Sequence, residues 1–402
     1  MTELAADDRD AIDVACAAPM LSQVETWCAV NSGTYNLAGL KTMSGHFADA
    51  FSALPGELTL LDPDPVERID VNGRIQPVEH GQHLRLSVRP AAPVQLLFTG
   101  HMDTVFPVEH PFQTLTWREP GVLNGPGVAD MKGGIAVMLA ALNAIEKHPI
   151  GQNIGYDVIL NSDEETGSAA SAALLARAAK GKQAALTYEP ALPDGTLAGA
   201  RSGSGNFSLI VSGRSAHAGR NPEEGRNALV AAADLAVRLK RAVSAGLTVN
   251  PARIDGGGLN NVVPDHAVLR VNFRPASPED EVAAQAMLAN LIAAVAAEHD
   301  VRIATHGNFG RPPKPVDPAA EQLFELIKHT GAELDLPIAW RATGGVCDGN
   351  NIAACGVPVV DTMGPRGGDI HSSDEFLIVE SLAERAALSA LSIIRIAQGQ
   401  LR

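Results

Sequence analysis

The stretch Val94-Gln-Leu-Leu-Phe-Thr-Gly-His101-Met-Asp103 decides the fold of this chain. Its apolar run predicts a buried strand, and a histidine and an aspartate follow at the point where that strand ends. Imidazole and carboxylate are donors that bind zinc and its divalent relatives. Because residues two apart on an extended chain project to the same side, we expect Asp103 to accept a hydrogen bond from the His101 nitrogen that faces away from a metal.

Four further segments carry acids or an imidazole in loops and at predicted strand ends. They are Gly127-Val-Ala-Asp130-Met-Lys-Gly-Gly134, Asn161-Ser-Asp-Glu164-Glu165-Thr-Gly167, Thr187-Tyr-Glu189-Pro190 and Ile370-His371-Ser-Ser-Asp374. Asp130, Glu165 and Glu189 with a bridging hydroxide would neutralise two divalent metals, which suits a partly buried cleft. Two histidines and three carboxylates, one of them shared, would give each metal three protein ligands and leave a position for water.

Glu164 and Glu165 are neighbours, so one side chain can face a metal while the other faces a substrate. We therefore interpret Glu164 as a general base, which takes a proton from water and passes it to a leaving amine.

The first half of the chain alternates short apolar strands with alanine-rich helical segments. The pattern predicts strands over Val94–Thr99, Val158–Asn161 and Ala184–Tyr188 and helices over Gly133–Lys147 and Ala169–Ala179. Such alternation indicates an α/β fold with a partly parallel sheet and helices on both faces. Because ligands bind beyond the carboxyl ends of such strands, the topology favours the same site as the donor pattern.

From about Gly203 the pattern changes to strand, helix, strand, strand, helix, strand, which is the order of a ferredoxin-like domain. After residue 312 the alternation of helices and strands seen in the first half resumes. The pattern predicts helices over Pro318–Leu334 and Phe376–Arg395 and a strand over Val357–Val360. We therefore predict a small α+β domain, residues 203–312, inserted into a larger α/β domain formed by residues 1–202 and 313–402.

The length, charge and cysteine content of the chain indicate what kind of protein it is. The chain has 402 residues, 46% of them hydrophobic, and a net charge of −15, which argues against partners such as nucleic acid or an anionic membrane. Four cysteines without a Cys-x-x-Cys pair indicate reduced thiols and a cytoplasmic location. The first ten residues are acidic and do not predict a secretory signal, and no uninterrupted apolar run approaches the roughly 18 residues that span a bilayer.

The motifs quoted above resemble, in order and over nearly the whole chain, an M20-type metallopeptidase family. That family contains glutamate carboxypeptidase, aminoacylase, acetylornithine deacetylase and succinyl-diaminopimelate desuccinylase, and the motifs are most similar to those of glutamate carboxypeptidase. The resemblance implies a zinc-peptidase-like catalytic domain, a mixed sheet flanked by helices, with an inserted lid and dimerisation domain. It also implies two Zn²⁺ ions, with Co²⁺ or Mn²⁺ as substitutes. His101, Asp130 and Glu189 would hold one metal and Asp130, Glu165 and His371 the other.

The same resemblance assigns roles to further residues. Asp103 would orient His101, Glu164 would be the base, and the Asp130–Met131 peptide bond would be cis. His217 in Ser212-Gly-Arg-Ser-Ala-His217-Ala-Gly would stabilise an oxyanion, commonly in the partner subunit of a homodimer formed through residues 203–312. Asn261 and Arg274 would grip the carboxylate of the substrate, with assistance from Arg311.

The resemblance implies hydrolysis of an amide bond in N-acyl amino acids or short peptides with a free carboxylate. One departure bears on specificity: glutamate-selective relatives place a lysine shortly after the metal glutamate, whereas residues 189–202 contain only Arg201. This departure argues against strict glutamate specificity. Within the same class, a biosynthetic deacetylase or desuccinylase is an alternative. A catalytically silent binding protein would commonly have lost a ligand or the base, and none is lost here. A cysteine hydrolase using Cys347 is a third alternative, although a small buried thiol is the simpler interpretation.

Overall fold

The structure is a computed structural model that describes residues 4–401. Residues 1–3, which begin the acidic N-terminal segment, and residue 402 lie outside the described residues. The helices are α1 (Ala6–Cys16), α2 (Met20–Cys28), α3 (Leu37–Phe51), α4 (Gly134–Lys147), α5 (Ala172–Ala179), α6 (Ala228–Arg241), α7 (Pro278–His299), α8 (Pro318–Glu333), α9 (Asp348–Ala353) and α10 (Glu380–Ala397).

The strands are β1 (Glu57–Leu61), β2 (Val66–Ile69), β3 (Ile75–Val78), β4 (His83–Val88), β5 (Val94–His101), β6 (Thr116–Glu119), β7 (Val122–Asn124), β8 (Ile154–Asn161), β9 (Ala184–Thr187), β10 (Leu197–Arg201), β11 (Ser204–Ser212), β12 (Leu247–Gly256), β13 (His266–Pro275), β14 (Arg302–Arg311), β15 (Trp340–Thr343), β16 (Val359–Val360), β17 (Gly367–Gly368) and β18 (Phe376–Ile378).

A six-stranded mixed sheet organises the larger part of the protein, in the order β1-β4-β8-β5-β9-β16. Strands β8, β5, β9 and β16 run parallel, whereas β4 pairs antiparallel with both of its neighbours. Side chains of β5 alternate between two apolar cores, since Leu96 and Phe98 face one core and Leu97 faces the other. The predicted mixed sheet between two layers of helices is confirmed.

The two cores differ in size. The larger core buries side chains of α1, α2, α3, α4, α8 and α10 against one face of the sheet, and α4 is buried along most of its length. The smaller core packs α5 and α9 on the opposite face. Helix α8 begins where Asp317 accepts a hydrogen bond from the Ala320 N–H, with proline as the first helical residue.

A second sheet contains β12-β13-β11-β14, all antiparallel. Strand and helix order is β11, α6, β12, β13, α7, β14, so the predicted ferredoxin-like arrangement is present. Alternate residues such as Leu209 and Leu269 form a separate core with α6 and α7. The opposite face of this sheet turns toward the larger part of the protein. We take this independent core as support for the proposed domain limits 203–312.

Two chain segments connect this second sheet to the larger part, and they are hydrogen-bonded to each other. The N–H of Arg201 donates to the carbonyl of Lys314, and the N–H of Lys314 donates back to the carbonyl of Arg201, both at 2.9 Å. The Asn350 side chain donates to the carbonyls of Ser202 and Pro312, one on each segment. The connection is therefore a paired ribbon anchored at the start of α9.

The predicted helix over Phe376–Arg395 is wrong at its beginning. Residues Phe376–Ile378 form β18, which pairs antiparallel with β7, and the helix begins at Glu380. The partner strand lies about 250 positions earlier in the chain. Because this pairing is distant in sequence, the local apolar run does not distinguish a short strand from the first turn of a helix.

Within residues 4–401, two helical segments are long and apolar enough to cross a membrane by length and composition alone: Val128–Lys147 and Pro278–His299. The first is 94% buried inside the protein, as expected for the core helix that it contains. The second is 17% buried and packs Ala284, Leu288 and Val295 against the second sheet. The expected lack of membrane association stays a prediction.

Candidate active site

Most of the predicted metal ligands follow strands of the central sheet. His101 is the last residue of β5, and its Cα pairs with that of Asn161 at the end of β8. Glu165 lies in the short turn Glu164–Thr166 after β8, and Glu189 follows β9. Because the carboxyl ends of these parallel strands meet at one edge, residues far apart in sequence become neighbours.

Asp130 lies between the two histidines. Its Oδ1 is 3.0 Å from Nε2 of His101, and its Oδ2 is 3.3 Å from Nε2 of His371. The two oxygens of one carboxylate thus face different imidazoles, as required of a bridging ligand. Oε2 of Glu189 lies 3.8 Å from Nε2 of His101, and Oε2 of Glu165 lies 3.1 Å from Nε2 of His371. The structure thus brings together the residues that the resemblance assigned to each metal.

The carboxylates of this cluster lie close together in a buried environment. Donor atoms of His101, Asp130 and Glu165 all lie within 4.8 Å of one another, as do those of His101, Glu164 and Glu189. Burial and the charge of Asp130 raise the pKa of Glu165 to about 8, and the same two causes raise the pKa of Glu189. Divalent cations would relieve this repulsion, so the residues present fit two such ions.

The pKa values of the two imidazoles are raised as well. Hydrogen bonds to Asp130 and Glu165 raise the pKa of His371 to about 11. Burial lowers the pKa of His101, but the neighbouring carboxylates of Asp103, Asp130 and Glu189 raise it well above the usual value. Because a metal binds neutral imidazole, loading this site with metal would release protons.

A glutamate that the sequence analysis missed holds the Asp130 loop in place. Glu375 is 1% exposed, and its carboxylate accepts hydrogen bonds from the N–H groups of Gly127, Ala129 and Asp130 at 3.0–3.1 Å. It follows the His371-Ser-Ser-Asp374 motif directly, and this neighbouring position is the sequence feature from which a supporting role could have been predicted. Glu375 thus ties the loop that carries Asp130 to the loop that carries His371. The Asp130–Met131 peptide bond is cis, as the resemblance implied.

Asp103 organises more than the histidine. The closest partner of His101 Nδ1 is the backbone carbonyl of Asp103, at 3.0 Å, and a carboxylate oxygen of Asp103 lies 3.4 Å away. That carboxylate also accepts hydrogen bonds from the Thr34 hydroxyl at 2.7 Å and from the N–H groups of Glu164 and Glu165 at 3.2 Å. Asp103 therefore orients both His101 and the turn that carries the proposed base.

Glu164 is buried and ion-paired. Its Oε1 lies 2.5 Å from Nη1 of Arg311, which comes from the end of β14. Burial raises the pKa of the Glu164 carboxyl, and the charge of Arg311 lowers it. The resemblance implied that Arg311 assists in binding the substrate; its side chain lines the cleft, but its guanidinium is paired with Glu164.

The cluster opens into a cleft of about 1610 Å³ between the central sheet and the open face of the second sheet. Arg274 lines this cleft with Asp130, Glu164 and Glu165. Its guanidinium is partly buried and donates to the side-chain oxygen of the neutral Asn272 at 2.9 Å. Burial and the nearby Arg311 lower the pKa of Arg274. Arg274 is thus positioned to receive an anion.

The other two predicted substrate residues lie elsewhere. His217 and Asn261 are exposed and do not line the cleft within the described part of this chain. They are close to each other, since His217 forms a β-bridge with Val262 and the Ala218 N–H donates to the Asn261 carbonyl at 2.9 Å. One copy of the chain does not bring them to the metal ligands, and their roles stay predictions.

Two further cleft residues bear on the alternatives. Arg201 is paired with Asp361, with its Nε 2.8 Å from Oδ2, and the same oxygen lies 2.8 Å from Nζ of Lys314. The positive charge of Arg201 is therefore already neutralised by Asp361 inside the protein. Cys347 is buried and precedes α9, and burial raises the pKa of its thiol well above the usual value. A thiol held neutral in this way is a poor nucleophile, which disfavours the cysteine hydrolase.

Two curated proteins are similar to this chain over most of their length. Carboxypeptidase G2 of Pseudomonas sp. (strain RS-16) is 30% identical, with 76% of this chain and 74% of that protein covered. Succinyl-diaminopimelate desuccinylase of Janthinobacterium sp. (strain Marseille) is 31% identical, with 71% and 79% covered.

The fold is also similar to solved structures. A tripeptidase from Staphylococcus aureus matches with a TM-score of 0.72 and 22% identity, covering 94% of this chain and 97% of that one. The family model described as peptidase family M20/M25/M40 matches residues 97–395, a range that includes every predicted metal ligand. This protein therefore belongs to peptidase family M20/M25/M40 and is a hydrolase of the metallopeptidase and deacylase type.

Proposed function

We propose that this protein uses two zinc ions to hydrolyse the amide bond of an N-acyl amino acid or a short peptide with a free carboxylate. One observation carries the proposal: the two oxygens of Asp130 face His101 and His371 in the same cleft that Arg274 lines. The cleft thus combines a two-metal donor set with a guanidinium that has no acidic side chain within ion-pair distance in the described residues.

Each metal would take a histidine, a terminal glutamate and one oxygen of Asp130. His101 and Glu189 would serve one ion, and His371 and Glu165 the other. When bound, the two ions supply Lewis-acid polarisation of the substrate carbonyl and a water of lowered pKa. The donor set also accepts Co²⁺ or Mn²⁺.

Glu164 would move the proton. Its Oε1 is engaged by Arg311, so we assign the transfer to Oε2, which accepts a proton from the attacking water and then donates it to the leaving amine. The N–H groups of Glu164 and Glu165 are fixed by Asp103, which limits the freedom of this turn. A base held in one orientation needs less reorganisation during the reaction.

Arg274 would bind the carboxylate of the substrate through its forked donors. We expect Arg274→Lys to raise KM by about tenfold and to leave kcat within a few-fold, since an ammonium keeps the charge but not the bidentate geometry. The measurement is steady-state kinetics on one N-acyl amino acid and on its carboxamide. The lysine variant should discriminate less between the two substrates than the wild type does. Equal KM values for wild type and variant would contradict the assignment.

The function itself is tested by metal analysis combined with a substrate screen. The purified protein, loaded with Zn²⁺, Co²⁺ or Mn²⁺, is assayed against acetyl-, benzoyl- and succinyl-amino acids and against dipeptides. Hydrolysis that a chelator abolishes and added metal restores supports the proposal. Tight binding of an amino acid without hydrolysis in fully loaded protein would support a silent binding protein instead.

A second candidate is a deacetylase or desuccinylase of amino-acid biosynthesis. Its support is the similarity to the desuccinylase relative and the engagement of Arg201 by Asp361, which leaves that cation unavailable for a glutamate side chain. Preference for acetyl- or succinyl-amino acids over dipeptides and benzoyl-amino acids in the same screen would favour this candidate.

We also propose that the protein is a homodimer through residues 203–312, in which His217 stabilises the oxyanion in the cleft of the partner. The support is its position on an exposed strand connection outside its own cleft, beside Asn261. A cytoplasmic location stays a prediction.

A mixing experiment tests this exchange between subunits. His217→Ala and Glu164→Gln variants are each expected to be nearly inactive, and mixing them with subunit exchange should restore roughly a quarter of wild-type activity. Half of the dimers are then mixed, and each has one site with both groups intact. Activity that stays at the level of the separate variants would indicate that His217 does not act across the interface.

A further inference from the structure

Arg311 contacts Glu164 at more than one point. It is 4% exposed, and its Nη1 lies 2.5 Å from Oε1 of Glu164. Its Nη2 donates to the backbone carbonyl of Glu164 at 2.8 Å and to the hydroxyl of Ser168 at 2.9 Å. The two terminal nitrogens of the guanidinium therefore have different partners. Nη1 contacts the Glu164 carboxylate, and Nη2 is bound to the backbone carbonyl and hydroxyl of the turn that carries Glu164.

Asp348 lies on the second end of that fork. It is 2% exposed at the start of α9, and its Oδ1 lies 3.6 Å from Nη2 of Arg311. The same oxygen accepts a hydrogen bond from the Ser168 hydroxyl, and Oδ2 accepts one from the Asn161 amide at 2.7 Å. Asp348 is therefore fixed from two sides, and its charge attracts Nη2 away from the Glu164 carboxylate.

This attraction matters because an arginine beside a carboxylate favours two parallel hydrogen bonds. A guanidinium that forms both bonds engages both oxygens of its partner. In this structure Nη1 meets Oε1 of Glu164, while Nη2 is directed to a carbonyl, a hydroxyl and Asp348. If the negative charge of Asp348 were removed, Nη2 would lose the attraction that adds to its bonds with the Glu164 carbonyl and the Ser168 hydroxyl, and it could turn toward Oε2 of Glu164. The general base would then lose the oxygen that accepts the proton.

We propose that Asp348 is a positioning residue that acts through Arg311 and keeps one carboxylate oxygen of Glu164 open for proton transfer. This inference rests on the proposed function. It assigns a task to a buried acid outside the metal donor set, and it makes Arg311 a support of the base in addition to any contact with substrate. The arrangement joins three parts of the chain: the turn after β8, the end of β14 and the start of α9.

The test is a double-mutant cycle in metal-loaded, full-length protein. We expect Asp348→Asn to lower kcat by about tenfold or more, with KM within about twofold and metal content unchanged, because the loss falls on proton transfer. In an Arg311→Met background, the same Asp348→Asn change should lower kcat by less than about twofold, since the group through which it acts is gone. A purely structural role of Asp348 would cost the same in both backgrounds.

Asp157→Asn is the matched control. Asp157 is also a largely buried carboxylate, paired with Arg85 at 2.9 Å and Lys182 at 2.7 Å, and it does not line the cleft. This variant should lower the midpoint of thermal unfolding while kcat stays near the wild-type value. If the Asp348→Asn variant fails to fold, Ser168→Ala is measured in its place. It removes the hydrogen bond between Nη2 of Arg311 and the Ser168 hydroxyl. We expect it to lower kcat a few-fold when Arg311 is present and not in the Arg311→Met background.

The outcomes separate the two proposals. An active wild type whose kcat is unchanged by Asp348→Asn, or is reduced equally in both backgrounds, would overturn the role of Asp348. If Ser168→Ala is the variant measured, an equal loss with and without Arg311 overturns it as well. A metal-loaded wild type that hydrolyses no amide in the screen would instead overturn the proposed function.

Discussion

Glu164→Gln is expected to retain its metal and to lose turnover by about 10²- to 10⁴-fold, which is the usual contribution of a positioned acid–base group. Glutamine keeps the size of the side chain and an oxygen for Arg311, but it does not accept the proton of the attacking water. KM should stay close to the wild-type value. The measurement combines steady-state kinetics with elemental analysis of the bound metal.

Glu67→Gln is the matched control for this change. Glu67 lies on β2 and lines the same cleft, but it is exposed and is not part of either close donor group. Its kcat should stay within about twofold of the wild type, since exposed single charges contribute little. More than a tenth of wild-type turnover in Glu164→Gln would remove Glu164 from the role of base.

Asp130→Asn is expected to have the second large effect, through metal binding. An amide has one oxygen in place of two equivalent ones, so it does not face both His101 and His371 as a carboxylate does. We expect loss of at least one metal ion and a fall in kcat/KM of about 100-fold or more, since losing only a supporting residue of a metal site already costs roughly 10- to 100-fold. The measurement is metal stoichiometry after dialysis, followed by kinetics.

Asp374→Asn provides the comparison within the same neighbourhood. Asp374 belongs to the His371 motif, but its carboxylate is exposed and pairs with Arg118 at 2.9 Å. Metal content and kcat/KM should therefore stay close to those of the wild type. Two tightly held ions in dialysed Asp130→Asn would show that Asp130 does not bridge the metals.

The central strands and the proximity of the acids and histidines that follow them could be predicted from the sequence, because both depend on local patterns. The apolar run before His101 is long enough to require a buried strand, and the observed strand ends at that histidine. The acids after β8 and β9 follow the same rule. Once parallel strands are assumed, their carboxyl ends must meet, so the meeting of distant acids follows from topology.

The contacts that support the cluster were not predictable in the same way. The carboxylate of Glu375 accepts hydrogen bonds from three N–H groups about 245 positions earlier in the chain. Asp348 lies close to Arg311, and both side chains are hydrogen-bonded to Ser168 in the turn after β8. Such pairings depend on how separate elements pack, and no local periodicity reports them. The strand at Phe376–Ile378 was misassigned for the same reason.

His217 and Asn261 were predicted to bind substrate for a different reason, and the single chain does not place them at the site. Their sequence context indicated a role in substrate binding, but in one copy of the chain both lie on exposed segments outside the cleft. A role carried across a subunit interface leaves no trace in the geometry of a single chain. The proposed dimer is therefore the point at which experiment adds most to the structure.

The mutual hydrogen bonds between Arg201 and Lys314 restrict how the second sheet can move. The two connections cannot move independently of each other without breaking both of these hydrogen bonds. Because Arg311 lies next to this band and its guanidinium contacts both Glu164 and Ser168, the second sheet is also tied directly to the turn that carries Glu164.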